Sequence, residues 1–355
     1  YYNLKDYNKT AADYITVVNE YSGHAVANDA LLPLQEALNL AGRAGEFDAH
    51  LANFKNANPD AQGIESVEFE TAKNLYFSQN YQQAISRLDN YLRNYPDSPR
   101  GTEAKYYQAE SHYRLKENTK ALSIYEDIKS DFSFMFSSRV TARIAELQYR
   151  LGNYQQAVPV FQQLAREAST KKDQYNAWSG LMESYYMLAR YDSSDIYANL
   201  ILEKGNVSAG AQNKASLFLG KAAMARGDYE LAKDEFLNTL NTAQDEYGAE
   251  AKYLLGEIFF LNKEYKQCYE TLISLNTDFA AYTAWVGKSY LLLSDNFVAM
   301  GDLFQAKGTL KSIIENFPLE NIRALAREKL KRIEDDELLK EKQLKEKDSL
   351  KNNNN

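Results

Sequence analysis

An aromatic residue followed three positions later by a small one recurs along this chain, and it constrains the fold more than any other feature. The clearest copies are Tyr81/Ala84, Tyr154/Ala157, Tyr229/Ala232 and Tyr265/Cys268, with weaker copies at Tyr7/Thr10, Phe47/His50, Asn118/Ala121, Tyr191/Ser194 and Leu303/Ala306. The first residues of these pairs, which we call the anchors, are 34 to 40 positions apart. A period of this size is typical of a solenoid, in which each repeat contacts only its neighbours.

The composition favours a solenoid built from helices. A chain of 355 residues would usually form two globular domains, but the repeat overrides that prior. The hydrophobic content of 45% is ample for a continuous core, and 6 Pro and 16 Gly are few for a β-rich protein. We therefore predict an all-α fold.

Each repeat reads as two helices joined by a short turn. Apolar and small residues recur every three or four positions in the first helix, for example over 103–113. The turns are Gly152-Asn153, Gly227-Asp228 and Asn262-Lys263, where Gly or Asn is expected to supply a left-handed residue. The second helix is expected to begin at the anchor and to end before Pro, as at Pro96 and Pro318.

The repeats predict three segments. Residues 1–320 would form an array of about eight to nine repeats, the first of them incomplete, so we expect the chain to be the C-terminal part of a longer protein. Residues 321–350 would form a charged helix that caps the array, and 351–355 a disordered tail. Gly287 lies sixteen positions before its anchor, whereas Gly220 and Gly256 lie nine before theirs, which predicts a first helix about two turns longer in the last repeat.

These positions resemble the tetratricopeptide repeat. The family places a small residue nine before the anchor and a large one seven after it. The first position matches at Ala72, Ala109, Ala145, Gly220 and Gly256 and departs at Leu38 and Met182; the second matches at Leu88, Tyr125, Phe161, Phe236 and Leu272 and departs at Ala198. The resemblance covers about residues 1–320 and implies an all-α, right-handed superhelical solenoid of antiparallel helix pairs.

Two segments resemble particular branches of that family. Tyr95-Pro96-Asp97-Ser98-Pro99, followed by Ala104, Tyr107 and Ala109, is similar to bacterial cell-envelope members such as the outer-membrane assembly lipoprotein and the Tol-Pal-associated coordinator. Trp285, Lys288-Ser289-Tyr290, Leu292 and the run 304–314 are similar to the C-terminal region of large Bacteroidota tetratricopeptide proteins. These resemblances imply a periplasmic protein associated with the outer membrane.

In this family the positions eight and five before each anchor point into a concave groove. They are Lys73/Tyr76, Glu110/Tyr113, Glu146/Tyr149, Glu183/Tyr186, Lys221/Met224 and Glu257/Phe260, with Lys288/Leu291 counted from Gly287 and with Arg114 and Arg150 beside two of the tyrosines. One interpretation is an aromatic, mainly acidic groove that binds a partner protein segment carrying Lys or Arg. The alternative is that the tyrosines pack beside the next helix and the glutamates pair with neighbouring charges.

Other functions find less support in the sequence. The net charge is −8, and residues 323–351 carry ten Lys/Arg and eight Asp/Glu, which leaves about −10 on the array and argues against nucleic acid. No apolar run is long enough to span a membrane. No catalytic constellation is present, so we predict a non-enzymatic protein without a cofactor. Glycan or peptidoglycan binding through the groove tyrosines remains an alternative function.

Two residue types, cysteine and histidine, are candidates for chemistry at a site. Cys268 occupies the small-residue position of its repeat, so we predict a buried packing residue and not a nucleophile. His24, His50 and His112 have no spacing typical of metal ligands, so no metal site is predicted.

Overall fold

The computed structural model describes residues 5–59, 61, 63–204 and 208–352, with the side chains of these residues as far as 344. The chain divides into two units, Tyr1–Val160 and Phe161–Asn355. No residue in the described ranges lies in a β-strand, which agrees with the predicted all-α fold. A short 3-10 helix covers Ala44–Glu46. The α-helices are α1 Tyr7–Glu20, α2 Ala25–Asp29, α3 Leu31–Leu40, α4 Phe47–Ala57, α5 Ile64–Phe77, α6 Tyr81–Asn94, α7 Gly101–Arg114, α8 Asn118–Ile128, α9 Ser137–Arg150, α10 Tyr154–Glu167, α11 Lys171–Met187, α12 Tyr191–Lys204, α13 Ala209–Ala225, α14 Tyr229–Leu240, α15 Glu246–Leu261, α16 Tyr265–Asp278, α17 Thr283–Ala299, α18 Leu303–Asn316 and α19 Glu320–Asn352.

Every anchor is the first residue of a helix, so the predicted start of each second helix is confirmed. The helices concerned are α1, α4, α6, α8, α10, α12, α14, α16 and α18. Aspartates directly before some anchors explain why the helix starts there. Asp228 accepts a hydrogen bond from the backbone of Leu231, and Asp302 accepts one from Gln305. Each carboxylate thereby satisfies a backbone N–H that the first turn leaves unpaired.

The turns between paired helices share one backbone conformation. At eight of the nine anchors, the residue two positions earlier has a positive φ. These residues are Lys5, Gln79, Lys116, Gly152, Ala189, Gly227, Lys263 and Gly301. The prediction is therefore correct at Gly152 and Gly227. It is wrong at Asn262, which has φ −77, since the left-handed residue there is Lys263. Backbone hydrogen bonds such as Asn153 N–H to Gln148 O, at 2.8 Å, close this turn whatever the side chain.

The core lies between the two helices of each pair. A Cβ added at Gly220 would lie 2.5 Å from the Phe236 ring, and one at Gly256 would lie 2.7 Å from Leu272. These residues stand nine before and seven after their anchors, so the small and large positions of the repeat contact each other. Close packing of this kind leaves no room for a side chain on the first helix.

The prediction of a longer first helix in the last repeat is wrong. Helix α17 has 17 residues, the same number as α11 and α13. A Cβ at Gly287 would lie 2.8 Å from Phe317 and 2.9 Å from Ile322, so this glycine makes room for the start of α19. The small residue nine before Leu303 is instead Ser294, which is 1% exposed. Lys288 and Leu291 therefore do not occupy the groove positions assigned to them from Gly287.

Helix α19 packs on the last repeat through its first turns. Ile322 and Ala326 are buried in a cluster with Leu291, Leu310 and Ile313. Further along, Lys329 pairs with Asp295 at 2.7 Å and Lys307 with Glu337 at 2.8 Å. The predicted incomplete first helix falls on residues 1–4 and most of the predicted tail on 353–355, both outside the described residues. Among the described helices none is long and apolar enough to cross a membrane.

Candidate functional site

The predicted binding residues lie on the first helices of successive repeats. We call the residues eight and five positions before the anchors at 81, 118, 154, 191, 229 and 265, together with Arg114 and Arg150 beside them, the first-helix face. In unit 1 this face lies on α5, α7 and α9, and in unit 2 on α11, α13 and α15. We describe the two units separately.

In unit 1 the tyrosine of one first helix reaches the glutamate of the next. The Tyr113 hydroxyl donates to Glu146 at 2.8 Å, and the Tyr76 hydroxyl lies 3.5 Å from Glu110. Both contacts join a residue five before one anchor to a residue eight before the next. These tyrosine hydroxyls and carboxylates therefore hold successive repeats together, as the alternative interpretation of the sequence expected.

Glu110 was predicted to line the groove, but it is buried, with 1% of its surface exposed. Its carboxylate accepts from the Tyr125 hydroxyl at 2.6 Å and from Arg143 Nε at 2.9 Å. Burial acts to raise the pKa of this carboxyl, but the hydrogen bonds from Arg143 and Tyr125 outweigh it, so the pKa lies below its usual range. Glu110 is thus an internal ion-pair residue and is not accessible to a partner.

Arg143 organises this part of unit 1, although the sequence analysis did not single it out. Its guanidinium lies 3.9 Å from the centre of the Tyr113 ring and donates to Glu146 at 3.1 Å. It lies between the two glutamates and neutralises both in part. The only sequence signal for this contact is that Arg143 stands three positions before Glu146 on α9.

The exposed charges on this face of unit 1 are cationic. Arg114 is exposed, and a hydrogen bond with the Tyr76 hydroxyl raises the pKa of its guanidinium. Arg150 is exposed and pairs with Glu146 at 2.5 Å. Tyr149 is half-buried with its ring 5.4 Å from that of Tyr154. The mainly acidic groove predicted from the residue types is therefore not what unit 1 presents, because arginines cover its glutamates.

In unit 2 the same positions are also bridged between helices, but by lysines. Glu183 pairs with Lys214 at 2.5 Å, and both side chains are 18% exposed. Burial acts to lower the pKa of Lys214, but the Glu183 carboxylate outweighs it and the pKa is raised. Lys221 lies 5.3 Å from the centre of the Tyr186 ring and pairs with Glu250 at 2.7 Å. Here too the aromatic and charged groups stabilise the stack.

Glu257 differs from the other predicted glutamates. It is half-buried on α15, and its carboxylate makes no hydrogen bond or ion pair with any residue the structure describes. Burial raises the pKa of this carboxyl, and the charge of Lys288 opposes the rise only in part. Lys288 instead places its ammonium 3.7 Å from the centre of the Trp285 ring. The Glu257 carboxylate thus has no hydrogen-bond donor among the described residues, at a partly buried position.

Aromatic residues lie about one turn from Glu257 on either side along α15. Tyr253 lies one turn before it on α15, and its ring centre is 5.6 Å from that of Trp285. Phe260, the other predicted residue of this repeat, lies three positions after it and is half-buried. A carboxylate beside aromatic rings is suited to a cation, which the carboxylate attracts by charge and the rings by their π-faces.

Replacing Glu257 with Gln is expected to stabilise unit 2 slightly, by about 0.5 kcal/mol at neutral pH. Because the folded-state pKa is raised, ionising Glu257 costs more in the folded protein than in the unfolded chain. The gain should therefore shrink as the pH falls through the raised folded-state pKa, and it should be absent below the pKa of an unfolded glutamate, about 4.3. Both tryptophans, Trp178 and Trp285, lie in unit 2, so urea unfolding followed by tryptophan fluorescence measures the change. A loss of stability on this substitution would contradict the assignment of an unpaired carboxylate.

Two of the residues considered for chemistry, Cys268 and His112, have structural roles in the folded chain. Cys268 is 0% exposed, and burial raises the pKa of its thiol to about 12, which keeps it protonated and unreactive. His112 Nδ1 lies 2.6 Å from a Glu117 carboxylate oxygen. Within the described ranges no three His, Cys, Asp or Glu side chains come together in a way that could hold a metal ion.

Comparison with known proteins places these helix pairs in a family. Two models of the tetratricopeptide repeat match, one over residues 69–133 and 217–267 and the other over 143–170 and 288–319. The chain is a tetratricopeptide repeat protein. No curated protein matches its sequence.

Solved structures with the same repeats agree on the fold. A tetratricopeptide repeat protein from Parabacteroides merdae is 15% identical, with a TM-score of 0.53 over 74% of this chain and 98% of that one. The C-terminal part of a repeat-containing protein from Cytophaga hutchinsonii is also 15% identical, with a TM-score of 0.51 over 72% and 98%. A signal transduction ATPase with a tetratricopeptide repeat sensor, from Pyrococcus horikoshii, is 13% identical, with a TM-score of 0.54 over 92% and 49%.

At these identities the likeness concerns the tetratricopeptide fold and not a particular ligand. Tetratricopeptide repeats bind proteins and are generally non-catalytic, so the coarse function indicated is that of a protein interaction scaffold. In this chain much of the tetratricopeptide first-helix face is occupied by contacts between repeats, whereas the Glu257 carboxylate has no partner among the residues that the structure describes.

Proposed function

We propose that this chain is a non-enzymatic scaffold of the bacterial cell envelope that binds segments of partner proteins on its first-helix faces. The envelope assignment, in the periplasm and in association with the outer membrane, rests on the resemblances at residues 95–109 and 285–314. Structural similarity to repeat proteins from Parabacteroides and Cytophaga is compatible with it. The preformed helix pairs would bind a partner without a large cost in ordering the scaffold.

The unpaired carboxylate of Glu257 is the observation that carries the proposal. A partly buried anion without a hydrogen-bond donor costs free energy in the isolated protein. A lysine or arginine side chain from a partner would remove that cost, and Phe260 and Tyr253 would contact the apolar part of such a side chain. We therefore propose that unit 2 binds a partner segment that presents a cationic residue to Glu257.

Unit 1 would select a different chemistry. Arg114 and Arg150 are exposed there, Arg150 in an ion pair with Glu146, while Glu110 is buried. Guanidinium groups bind carboxylates with two parallel hydrogen bonds, so this face suits an acidic partner segment. The two units are proposed as separate docking surfaces.

A photo-crosslinking amino acid in place of Phe260 is expected to capture a protein partner in the native host. Benzoylphenylalanine preserves an aromatic ring at this half-buried position, so the repeat should fold and the reactive ketone should contact whatever binds beside Glu257. The captured protein is identified by mass spectrometry, and the crosslinked peptide is expected to contain Lys or Arg. Adding Glu257→Gln should reduce its yield at least about tenfold, since a charge-assisted hydrogen bond is worth about 1.5–3 kcal/mol.

Two controls separate the outcomes of this experiment. The same crosslinker at Phe304, which is 83% exposed on α18, reports nonspecific capture. Glu246→Gln changes an exposed carboxylate on the same helix as Glu257 and should leave the yield unchanged. Equal yields from positions 260 and 304, or equal losses from the two glutamine variants, would overturn the proposed docking surface.

Cell fractionation tests the envelope assignment independently. The protein as expressed by its host should be recovered with the envelope fraction. Recovery in the cytoplasmic fraction would contradict this assignment and leave the docking surface to be judged on the crosslinks.

A further inference from the structure

A cavity of about 530 Å³ in unit 2 lies away from the first-helix face. Residues of α16 and α18 form its sides and residues of α17 form its floor. Its volume falls in the range of about 300–1,000 Å³ that is usual for small-molecule sites.

One side and the floor of this cavity are aromatic. Tyr269 is 41% exposed at the rim, and its ring centre lies 5.9 Å from that of Phe297. Tyr290 of α17 adds a third ring to the floor. These rings offer flat apolar surfaces and, at the two tyrosines, a hydroxyl group at the edge.

The other side is polar but uncharged. Gln305, Thr309 and Ser312 of α18 line it, and no Lys, Arg, Asp or Glu is among the lining residues. The side-chain hydrogen-bonding groups of these three residues have no partner in the part of the chain that the structure describes. The same holds for the hydroxyls of Tyr269 and Tyr290. Five uncharged side chains can therefore donate to or accept from a ligand.

The cavity is open because the facing side of α18 carries small side chains. Gly308 lines it, and a Cβ at this position would have no atom within 4 Å. Glycine inside a helix is less favourable than alanine, and neither a close contact nor a positive φ accounts for it here. What Gly308 does provide is space in the cavity.

We propose that this cavity binds a neutral oligosaccharide. A sugar ring has a face of C–H groups, which packs on aromatic rings, and an edge of hydroxyl groups, which exchange hydrogen bonds with amides and hydroxyls. Both kinds of surface are present on opposite sides of the cavity. The lack of charged lining residues favours neutral sugars over uronic acids, sialic acids and amino sugars, whose charges would go unpaired. This site is independent of the proposed protein-binding face.

Binding is tested with the full chain on a microarray of neutral and charged oligosaccharides, followed by calorimetric titration of the sugars that bind. Gly308→Trp fills the cavity from an exposed helical position and is expected to weaken binding more than tenfold. Thr309→Val removes a hydroxyl at nearly constant shape and is expected to weaken it several-fold. Phe304→Trp places the same ring at an exposed position of α18 outside the cavity and should bind as well as the natural protein.

Each result decides for or against the sugar site. Saturable binding of neutral oligosaccharides that Gly308→Trp removes and Phe304→Trp retains supports it. The proposal is overturned if no neutral oligosaccharide binds, if only charged sugars or uncharged peptides bind, or if Gly308→Trp binds as tightly as Phe304→Trp. The circular-dichroism spectrum of each variant confirms that the helices are intact.

Discussion

Replacing Arg143 with Ala is expected to destabilise unit 1 by about 3 kcal/mol, because removal of one partner of a buried ion pair leaves the other charge uncompensated. Glu110 is the charge at risk, since only 2% of its side chain is exposed. Without Arg143 its carboxylate would keep the Tyr125 hydroxyl, at 2.6 Å, as its only close hydrogen-bond donor. Tyr113 would lose the guanidinium that lies 3.9 Å from its ring centre. Urea unfolding followed by circular dichroism, with hydrogen exchange of the α7 amides, measures the loss.

Two further variants separate the ion pair from general damage. Arg139→Ala removes an exposed arginine of the same helix with one 3.3 Å hydrogen bond to Tyr106, and a change of no more than about 0.5 kcal/mol is expected. The double variant Glu110→Gln with Arg143→Met removes both charges and lets the Gln oxygen accept from Tyr125. It should recover much of the stability lost in Arg143→Ala. If the double variant is no more stable than Arg143→Ala, the buried charge is not the cause.

The defect of Arg143→Ala should also shrink in acid. In the natural protein the pKa of Glu110 is lowered, so its favourable contribution is present above the pKa of an unfolded glutamate and is lost as the pH falls through the folded-state value. Without Arg143, burial is opposed only by the Tyr125 hydroxyl and the charge of Arg114, so the pKa of the carboxyl is higher than in the natural protein and the penalty shrinks on protonation. Both changes bring the variant and the natural protein closer together at low pH. A difference that stays constant with pH would contradict the role assigned to Glu110.

The sequence predicted the helix starts because the repeat itself encodes them. Nine anchors gave nine helix starts, and the seven from Tyr81 onward each follow a turn whose backbone is closed by the same hydrogen bond. Glycine marks that turn only at 152, 227 and 301; Lys263 and Ala189 adopt the same positive φ under the constraint of the paired helices. Tertiary context there overrides local preference, so the exact turn residue could not be identified at every repeat.

Which charges of the site pair with each other could not be predicted from the position of each residue in its repeat. Glu110, Glu146, Glu183 and Glu257 occupy the same position in four repeats, yet one is buried, two are paired and one is unpaired. The ion pairs that these glutamates form depend on residues at other positions of the repeat, such as Arg143 and Lys214. The error at Gly287 has a related cause. Its missing side chain makes room for Phe317 and Ile322, which lie beyond the repeat used for counting.

Two departures from the repeat pattern, Met182 and Ala198, explain each other. They stand nine before and seven after the anchor Tyr191, the positions at which Gly220 contacts Phe236 in a later repeat of unit 2. Both are 0% exposed and belong to one buried cluster with Trp178 and Ile201. The large residue therefore sits on the first helix in this repeat and on the second helix in the other. Both repeats therefore fill this contact with one large and one small side chain, although the residues differ.

Met182→Ala is accordingly expected to destabilise unit 2 by about 3 kcal/mol, through lost burial and the cavity left behind. Met187→Ala, the same change at a residue 49% exposed on the same helix, should alter stability by no more than about 0.5 kcal/mol. Tryptophan fluorescence during urea unfolding measures both variants, since Trp178 lies in the affected cluster.

A double-mutant cycle is the decisive test of whether the large residue of this contact can be moved from the first helix to the second. Ala198→Phe alone should overpack the contact and cost about 1–3 kcal/mol. Met182→Gly alone should leave a cavity and also lose helix propensity, so both single variants are destabilised. Together they recreate the pairing of Gly220 with Phe236, and the double variant should be more stable than the sum of the two effects by at least about 1 kcal/mol. Strictly additive effects would mean that the two positions do not share one packing volume, and the account of how small and large residues alternate between the paired helices would fail.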